Sequence, residues 1–192
     1  QKVFDVIGKL AKVNTPVLIR GESGTGKELV AKAIHYNGPR KDNKFVAVNC
    51  GAISENLIES ELFGHEKGAF TGADKVKPGV FEMAKGGTVF LDEISEMSMA
   101  AQSRFLRVLE ERTFRRVGGT KEYSFDDVRV VTATNRDLEE QVKKGDFRHD
   151  LLYRINVASI EIPALRDRAT DIVPLAHYFM TAINERLNKS LI

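Results

Sequence analysis

The sequence predicts an α/β fold, a central sheet of parallel strands flanked by helices, and three observations carry that prediction. Short apolar runs at residues 17–19, 45–48, 88–91, 128–133 and 157–162 alternate with stretches of helical periodicity. The first run passes through a glycine-rich turn directly into a helical pattern. Several runs end in polar residues, which sets side chains capable of chemistry on one rim of the sheet, where open α/β sheets bind ligands.

In chain order, Val3, Val6, Ile7, Leu10 and Val13 recur at helical spacing until Asn14-Thr15-Pro16 breaks the pattern before the first strand. Gly21, Glu22, Ser23, Gly24, Thr25, Gly26, Lys27 and Glu28 then read as a phosphate-binding loop. Its glycines let backbone N–H groups turn inward on anionic oxygens, and Lys27 at the positive end of the next helix reaches the terminal phosphates. Glu28 departs from the generic motif, in which a Ser or Thr hydroxyl after the lysine binds Mg²⁺, so the metal must be held another way. The helix runs to Asn37-Gly38-Pro39, and the charged segment 40–44 reads as a solvated loop. The second strand, 45–48, ends at Asn49, either a nucleotide-facing polar group or a turn residue.

Ile53, Leu57, Ile58 and Leu62 continue as a helix, interrupted by Gly64, Gly68, Gly72, Pro78 and Gly79. Within the interruption, Gly68, Ala69, Phe70, Thr71, Gly72 and Ala73 form a loop with an aromatic among small residues. From the residues alone it is either a docking tip or a surface loop with Phe70 folded back. Strand 88–91 is fully apolar and ends in Asp92 and Glu93, a carboxylate pair that is costly at a buried strand tip unless a cation or water uses it. Asp92 suits Mg²⁺, directly or through water, and Glu93 suits polarising the water that attacks a terminal phosphate. Ala101, Phe105, Val108 and Leu109 give the next helix a buried face, and Phe114, Val117, Tyr123 and Phe125 around Gly118-Gly119 predict a hairpin. The strand 128–133 delivers Thr134 and Asn135, and Asn135 suits orienting water or reading the terminal phosphate. Arg148 and Arg154 stand six residues apart, off any single helix face, and read either as surface charges or as arginines acting on another subunit's phosphates. The last strand ends at Pro163, and 171–187 reads as an amphipathic helix.

Composition sets the outer bounds. A chain of 192 residues suffices for one sizeable α/β domain burying roughly 70% of its unfolded surface, with the start of a second unit. It reads as a fragment, beginning at Gln1 and stopping inside a helical stretch. A net charge of +2 gives no electrostatic case for gripping nucleic acid. The single cysteine, Cys50, excludes an intrachain disulfide, and no apolar run approaches a membrane span, so a reducing cytoplasm is expected. The four histidines show no metal-ligand spacing and read as solvated or packing side chains.

Taken in order, these motifs resemble the AAA+ domain of bacterial sigma-54-dependent transcription activators, over essentially the whole chain. The phosphate loop with glutamate after the lysine is similar to the form usual in that family, and 68–73 spells the loop by which its members engage the sigma-54 factor. The resemblance implies a P-loop ATPase using ATP and Mg²⁺, with Asp92 and Glu93 as its second nucleotide motif. It further implies Asn49 as the switch partner restraining Glu93, Asn135 as the first sensor, and Arg148 and Arg154 as fingers into the neighbouring subunit's site. The 118–119 hairpin resembles a second pore-facing insertion. Ring oligomers, commonly hexamers, are implied, with DNA bound through a domain outside this chain and no membrane partner. Residues 1–166 are then the nucleotide-binding α/β domain and 167–192 the beginning of a helical lid, ending before the family's second sensor arginine. A nucleotide-dependent binding switch without turnover, or an AAA+ motor for another protein substrate, are the rival readings.

Overall fold

The computed structural model describes residues 2–187, and the chain divides into two compact units, Gln1–Ile162 and Pro163–Ile192. In the first unit helix α1 (Lys2–Ala11) leads to strand β1 (Val17–Arg20), helix α2 (Lys27–Tyr36), strand β2 (Phe45–Asn49) and helix α3 (Glu55–Phe63). An excursion of two short strands, β3 (Gly64–His65) and β4 (Lys77–Pro78), precedes the single turn α4 (Val80–Met83), strand β5 (Thr88–Asp92) and helix α5 (Met99–Glu111). The hairpin strands β6 (Thr113–Arg115) and β7 (Glu122–Ser124) follow, then β8 (Arg129–Thr134), helices α6 (Leu138–Lys144) and α7 (His149–Ile155), and β9 (Ala158–Glu161). The second unit comprises two 3-10 turns and helix α8 (Ile172–Leu187). The end of the expected lid segment, 188–192, lies outside the described residues. No helix among the described residues is long and apolar enough to cross a membrane.

The five expected strands form one sheet in the order β2-β5-β8-β1-β9, and every pairing is parallel. The continuous apolar runs of the three central strands β5, β8 and β1 are explained by burial on both faces. Leu18, Val89, Leu91 and Val130 enter a core with residues of α3, α4, α5 and α7. Val17, Ile19, Phe90, Val131 and Ala133 face the opposite way, onto Ile7 of α1 and Ala31 and Ile34 of α2. Alternate residues of β1, β5 and β8 therefore serve different cores, while the edge strands β2 and β9 are partly exposed, and each fully buried Val, Leu, Ile or Phe contributes roughly 1.5–3 kcal/mol. The chain leaves β1 for the far edge strand β2, returns through β5 and β8, then crosses to β9 on the other side of β1. The carboxyl end of β1 thus lies where the direction of winding reverses, the crevice in which such sheets hold ligands.

Two features go beyond the sequence reading. The segment 40–44 is the expected exposed loop over Lys41–Lys44, but its ends are tied down: half-buried Arg40 donates to Gly86 O and Asp127 Oδ1, both at 2.7 Å, and Asn43 Nδ2 donates to Gly86 O at 2.7 Å. Acceptors from two distant loops converge there, which charged composition alone does not reveal. The β3/β4 ladder was also not anticipated. It pairs Gly64 with Pro78 and His65 with Lys77, and it exists because Gly64 and Gly79 carry no side chain. A Cβ on Gly64 would lie 2.6 Å from both Gly79 N and Lys77 O, and Gly64 has φ 78°.

Candidate active site

The phosphate loop connects β1 to α2 as expected, with Lys27 opening the helix. Gly24 and Gly26 take positive φ, 78° and 96°, and a Cβ on Gly24 would meet nothing within 4 Å, so the turn opens onto space. Gly21 serves a different end: a Cβ there would lie 2.8 Å from Thr25 Oγ1 and 3.1 Å from Ile162 O, so its smallness lets the loop sit against the end of the last strand. Lys27, only 8% exposed, donates from Nζ to Gly21 O at 3.0 Å and Glu22 O at 3.1 Å. The cation is thereby folded across its own loop, held by neutral carbonyls that an anion can outcompete. Glu28 points into an ion pair with Lys32 at 2.8 Å on the exposed side of α2.

Parallel pairing brings the other polar strand ends beside this loop. Gly21 N donates to Thr134 O at 3.2 Å, and Asn49 registers with Asp92 across β2 and β5. Asp92 Oδ1 accepts from Glu93 N at 2.9 Å. Glu93 has φ 52°, a left-handed backbone that a residue with a Cβ adopts only at a cost. Asn49 Oδ1 accepts from Gly51 N at 2.8 Å and Ala52 N at 3.1 Å, so it is engaged by the following turn. Glu93 is nevertheless close by, because the position of a Cβ on Gly51 falls against Glu93 Oε2 and 3.3 Å from Asn49 Oδ1. Burial pushes the Cys50 thiol up to about 12, reinforced by the negative charges of Asp92, Glu93 and Glu96, so this thiol is neutral and unreactive.

Asn135 follows β8 and is exposed at the rim. Its neighbours tie it to the carboxylate turn: Arg136 pairs with Glu96 at 2.8 Å, and Thr134 Oγ1 donates to Ser95 Oγ at 3.3 Å. Arg20 at the end of β1 grips Glu139 of α6 with two bonds, at 2.9 and 2.6 Å. Sequence reasoning missed these ties, since nothing in spacing links positions so far apart; only the strand register makes them neighbours. Among the described residues no group of three or more His, Cys, Asp or Glu side chains could hold a metal ion.

Arg148 and Arg154 find hydrogen-bond partners on and beside α7. Arg148 stands at the N-cap position of α7 and pairs with Asp150 at 2.7 Å, while Arg154 donates to Leu109 O at 3.2 Å. The Arg148 bond in turn holds the Asp150 carboxyl below the usual carboxylate range.

The loop 68–73 is closed at its base, where Gly68 N donates to Ala73 O at 2.8 Å. Phe70 is 36% exposed, and its ring meets that of His65 edge-on at 5.0 Å, so it is partly folded back and partly offered to solvent. The expected hairpin forms as β6 and β7, and its tip is joined to the same loop. Val117 N donates to Gly64 O at 2.9 Å, Glu66 N donates to Val117 O at 3.0 Å, and Gly118 leaves no room for a Cβ, which would sit 2.9 Å from that of Ala69. Arg116 fastens the junction through Glu66 at 3.1 Å and Glu82 at 2.8 Å, with its guanidinium over the Tyr123 ring. The remaining buried histidine, His35, packs between Thr88 Oγ1 at 2.9 Å and Asn43 O at 3.1 Å.

Residues 1–161 match the family of the Sigma-54 interaction domain. The chain is 60% identical over 180 residues to a Nif-specific regulatory protein of Herbaspirillum seropedicae, covering 94% of this chain and 33% of that protein. It is also similar to NtrX from Brucella abortus, solved in complex with ADP, at TM-score 0.90 and 40% identity over 97% of this chain and 40% of that one. The same protein in complex with ATP superposes at TM-score 0.89 and 40% identity, over 96% and 40% of the two chains. The chain thus spans about a third of the length of the curated relatives it matches.

Proposed function

The chain belongs to the sigma-54 interaction domain family of AAA+ P-loop ATPases, and from that premise we propose that it hydrolyses ATP at subunit interfaces of a ring and uses the energy to remodel the closed complex of sigma-54 RNA polymerase. The observation that carries the reading is the convergence of the phosphate loop, the Asp92-Glu93 pair and Asn135 on one rim of the sheet, at the point where its winding reverses. In this reading Lys27 moves from the carbonyls of Gly21 and Glu22 to the terminal phosphates, and the backbone of 21–28 cradles the others. Glu93 takes the proton of the attacking water and Asn135 orients that water. Arg148 and Arg154 exchange their present partners for the neighbouring subunit's phosphates, where charge develops in the transition state. Mg²⁺ would be held by Asp92, directly or through water, and would neutralise phosphate charge. A single carboxylate suits an ion that retains several waters and phosphate oxygens, and it fits the ion-paired Glu28, which is turned to Lys32.

The loop 68–73 is then the contact with sigma-54, and β6–β7 moves with it. Residues 167–192 begin a helical lid, DNA is reached through another part of the protein, and the assembly works in the cytoplasm as a ring, commonly a hexamer. The test is ATP turnover against protein concentration, together with binding to purified sigma-54 in the presence of an ATP transition-state analogue. Turnover rising more than in proportion, with analogue-dependent sigma-54 capture, is expected. Stoichiometric occupancy without turnover would favour a binding switch, and turnover without capture a motor for another substrate.

A further inference from the structure

We infer that Gln102 is a positioning residue that couples the turn after Glu93 to the backbone carrying Arg148, so that the state of one subunit's carboxylate turn is felt in the arginine it presents to its neighbour; this rests on the interface reading above. Gln102 lies in the first turns of α5 and is fully buried. Its side chain makes three hydrogen bonds, none within its own helix. Nε2 donates to Met97 O at 2.8 Å and to Asp146 O at 3.0 Å, and Oε1 accepts from Arg148 N at 2.9 Å.

Neither capping nor packing accounts for an amide here. The start of α5 is already capped by Ser98, whose Oγ accepts from Ala101 N at 3.3 Å, and the other buried positions of the helix are apolar: Ala101, Phe105, Leu106, Val108 and Leu109. A glutamine among them is tolerable only because each of its polar atoms finds a partner, and those partners lie in two different segments. Met97 ends the 3-10 turn Ile94–Glu96, whose first flanking residue is Glu93 with its left-handed backbone. Asp146 and Arg148 belong to the connection from α6 into α7. If the Glu93 backbone relaxes when a nucleotide is handled, the Met97 carbonyl shifts, and Gln102 passes that shift to the Arg148 N–H. The connection keeps its fold by other means, through Asp146 N and Phe147 N donating to Gln141 O at 3.0 and 3.3 Å and the burial of Phe147. What Gln102 adds is the register of Arg148.

The experiment uses the full-length protein with Q102L, and with Q102E, which keeps the acceptor for Arg148 N and loses the donors. Each variant is first checked for a cooperative thermal transition and for ATP affinity, both expected to be close to parental. Turnover should fall by roughly tenfold or more, since a misplacement of about 1 Å in a positioned group costs up to two orders of magnitude. Mixed rings give the decisive readout. A ring of Q102L with E93Q should regain activity, because an intact Glu93 site of the former meets an intact arginine of the latter; Q102L with R148A should regain none. Parental turnover in both variants would overturn the inference, as would recovery with R148A instead of E93Q, which would place the defect in the variant's own Glu93 site. No recovery with either partner, while the control mixture of R148A and E93Q recovers, would reduce Gln102 to a structural residue. If that control itself recovers nothing in rings shown to co-assemble, the interface reading has failed and the inference falls with it.

Discussion

Glu93 and Arg112 are the two non-glycine residues of positive φ among those described, and only Glu93 sits at the nucleotide rim. Its left-handed backbone costs about 1 kcal/mol, which the surrounding β5 and 3-10 turn must hold. Asparagine accepts that conformation more readily than glutamine does. E93N should therefore unfold at a higher denaturant midpoint than E93Q, by about 0.5–1 kcal/mol, although both amides lack the proton acceptor and should turn ATP over far more slowly than the parent. Equal midpoints would show that the conformation carries no strain. His35 gives a second residue-level test. Burial lowers its pKa below the usual 6.5, and the nearby charges of Arg129 and Arg40 act the same way, so the folded protein keeps it neutral while the unfolded chain takes up a proton. Below about pH 6.5 the unfolded state binds more protons, and stability should fall with pH until the lowered folded value is passed, by up to about 1.4 kcal/mol per pH unit from this group. Denaturant titrations between pH 7 and 5 check this, and H35N should show a shallower slope. The placement of Lys27 after β1 and of Asp92 and Glu93 at the end of β5 was legible in the sequence because each sits in a contiguous motif. The left-handed Glu93 was not, since glutamate gives no sign of φ above zero, and the burial of His35 depends on partners 8 and 53 residues away.

The two excursions from the sheet act as one element. Pairing of Val117 with His65, the Arg116 bridge to Glu66 and Glu82, and the contact of Gly118 with Ala69 fix the tip of the β6–β7 hairpin to the base of 68–73. These contacts join the two excursions to one another and to Glu82 of α4. Thr71→Ala should therefore retain at least about half of the ATP turnover while losing analogue-dependent sigma-54 binding and promoter opening. If both activities fell in proportion, 68–73 would not be a docking element. Gly118→Val should show the same separation for a different reason: at φ 73° and with 2.9 Å to the Ala69 Cβ, a branched side chain forces the hairpin off the loop. The hairpin itself was readable from apolar residues around Gly118-Gly119. Its attachment to the other excursion was not, because two-residue strands such as β3 and β4 leave no periodic trace, and the pairing that matters joins segments some fifty residues apart. The 40–44 loop is exposed over Lys41–Lys44 as its charges suggested, but the anchoring of Arg40 on Gly86 O and Asp127 Oδ1 depends on distant segments and left no local sign.

For the molecule as a whole, five apolar runs and a glycine-rich turn were enough to anticipate a parallel sheet with a nucleotide rim, because the three central strands, buried on both faces, have no polar side to confuse the pattern. Strand order was beyond reach, and with it the ties of Arg20 to Glu139 and Arg136 to Glu96, which exist only once β8 lies between β5 and β1. Arg148 bears on the assembly. Paired with Asp150 and distant in bonding from its own rim, it should when changed to Ala spare ATP affinity measured by calorimetry yet lower turnover by roughly a thousandfold, the scale of a lost arginine finger. A large loss of affinity in isolated subunits would instead place it in its own site. The position of β1 also governs how the protein comes into being. Both of its partners, residues 129–134 and 158–161, are made long after it, and Gly21 packs against Ile162. During synthesis, at about 5–20 residues per second, the strand that carries the phosphate loop waits for both neighbours with its edges open. A nascent chain stalled before Ala158 would have every residue of the nucleotide motifs but only one of the two neighbours that flank their strand, so the phosphate loop would gain its full support late, when the last strand closes the sheet.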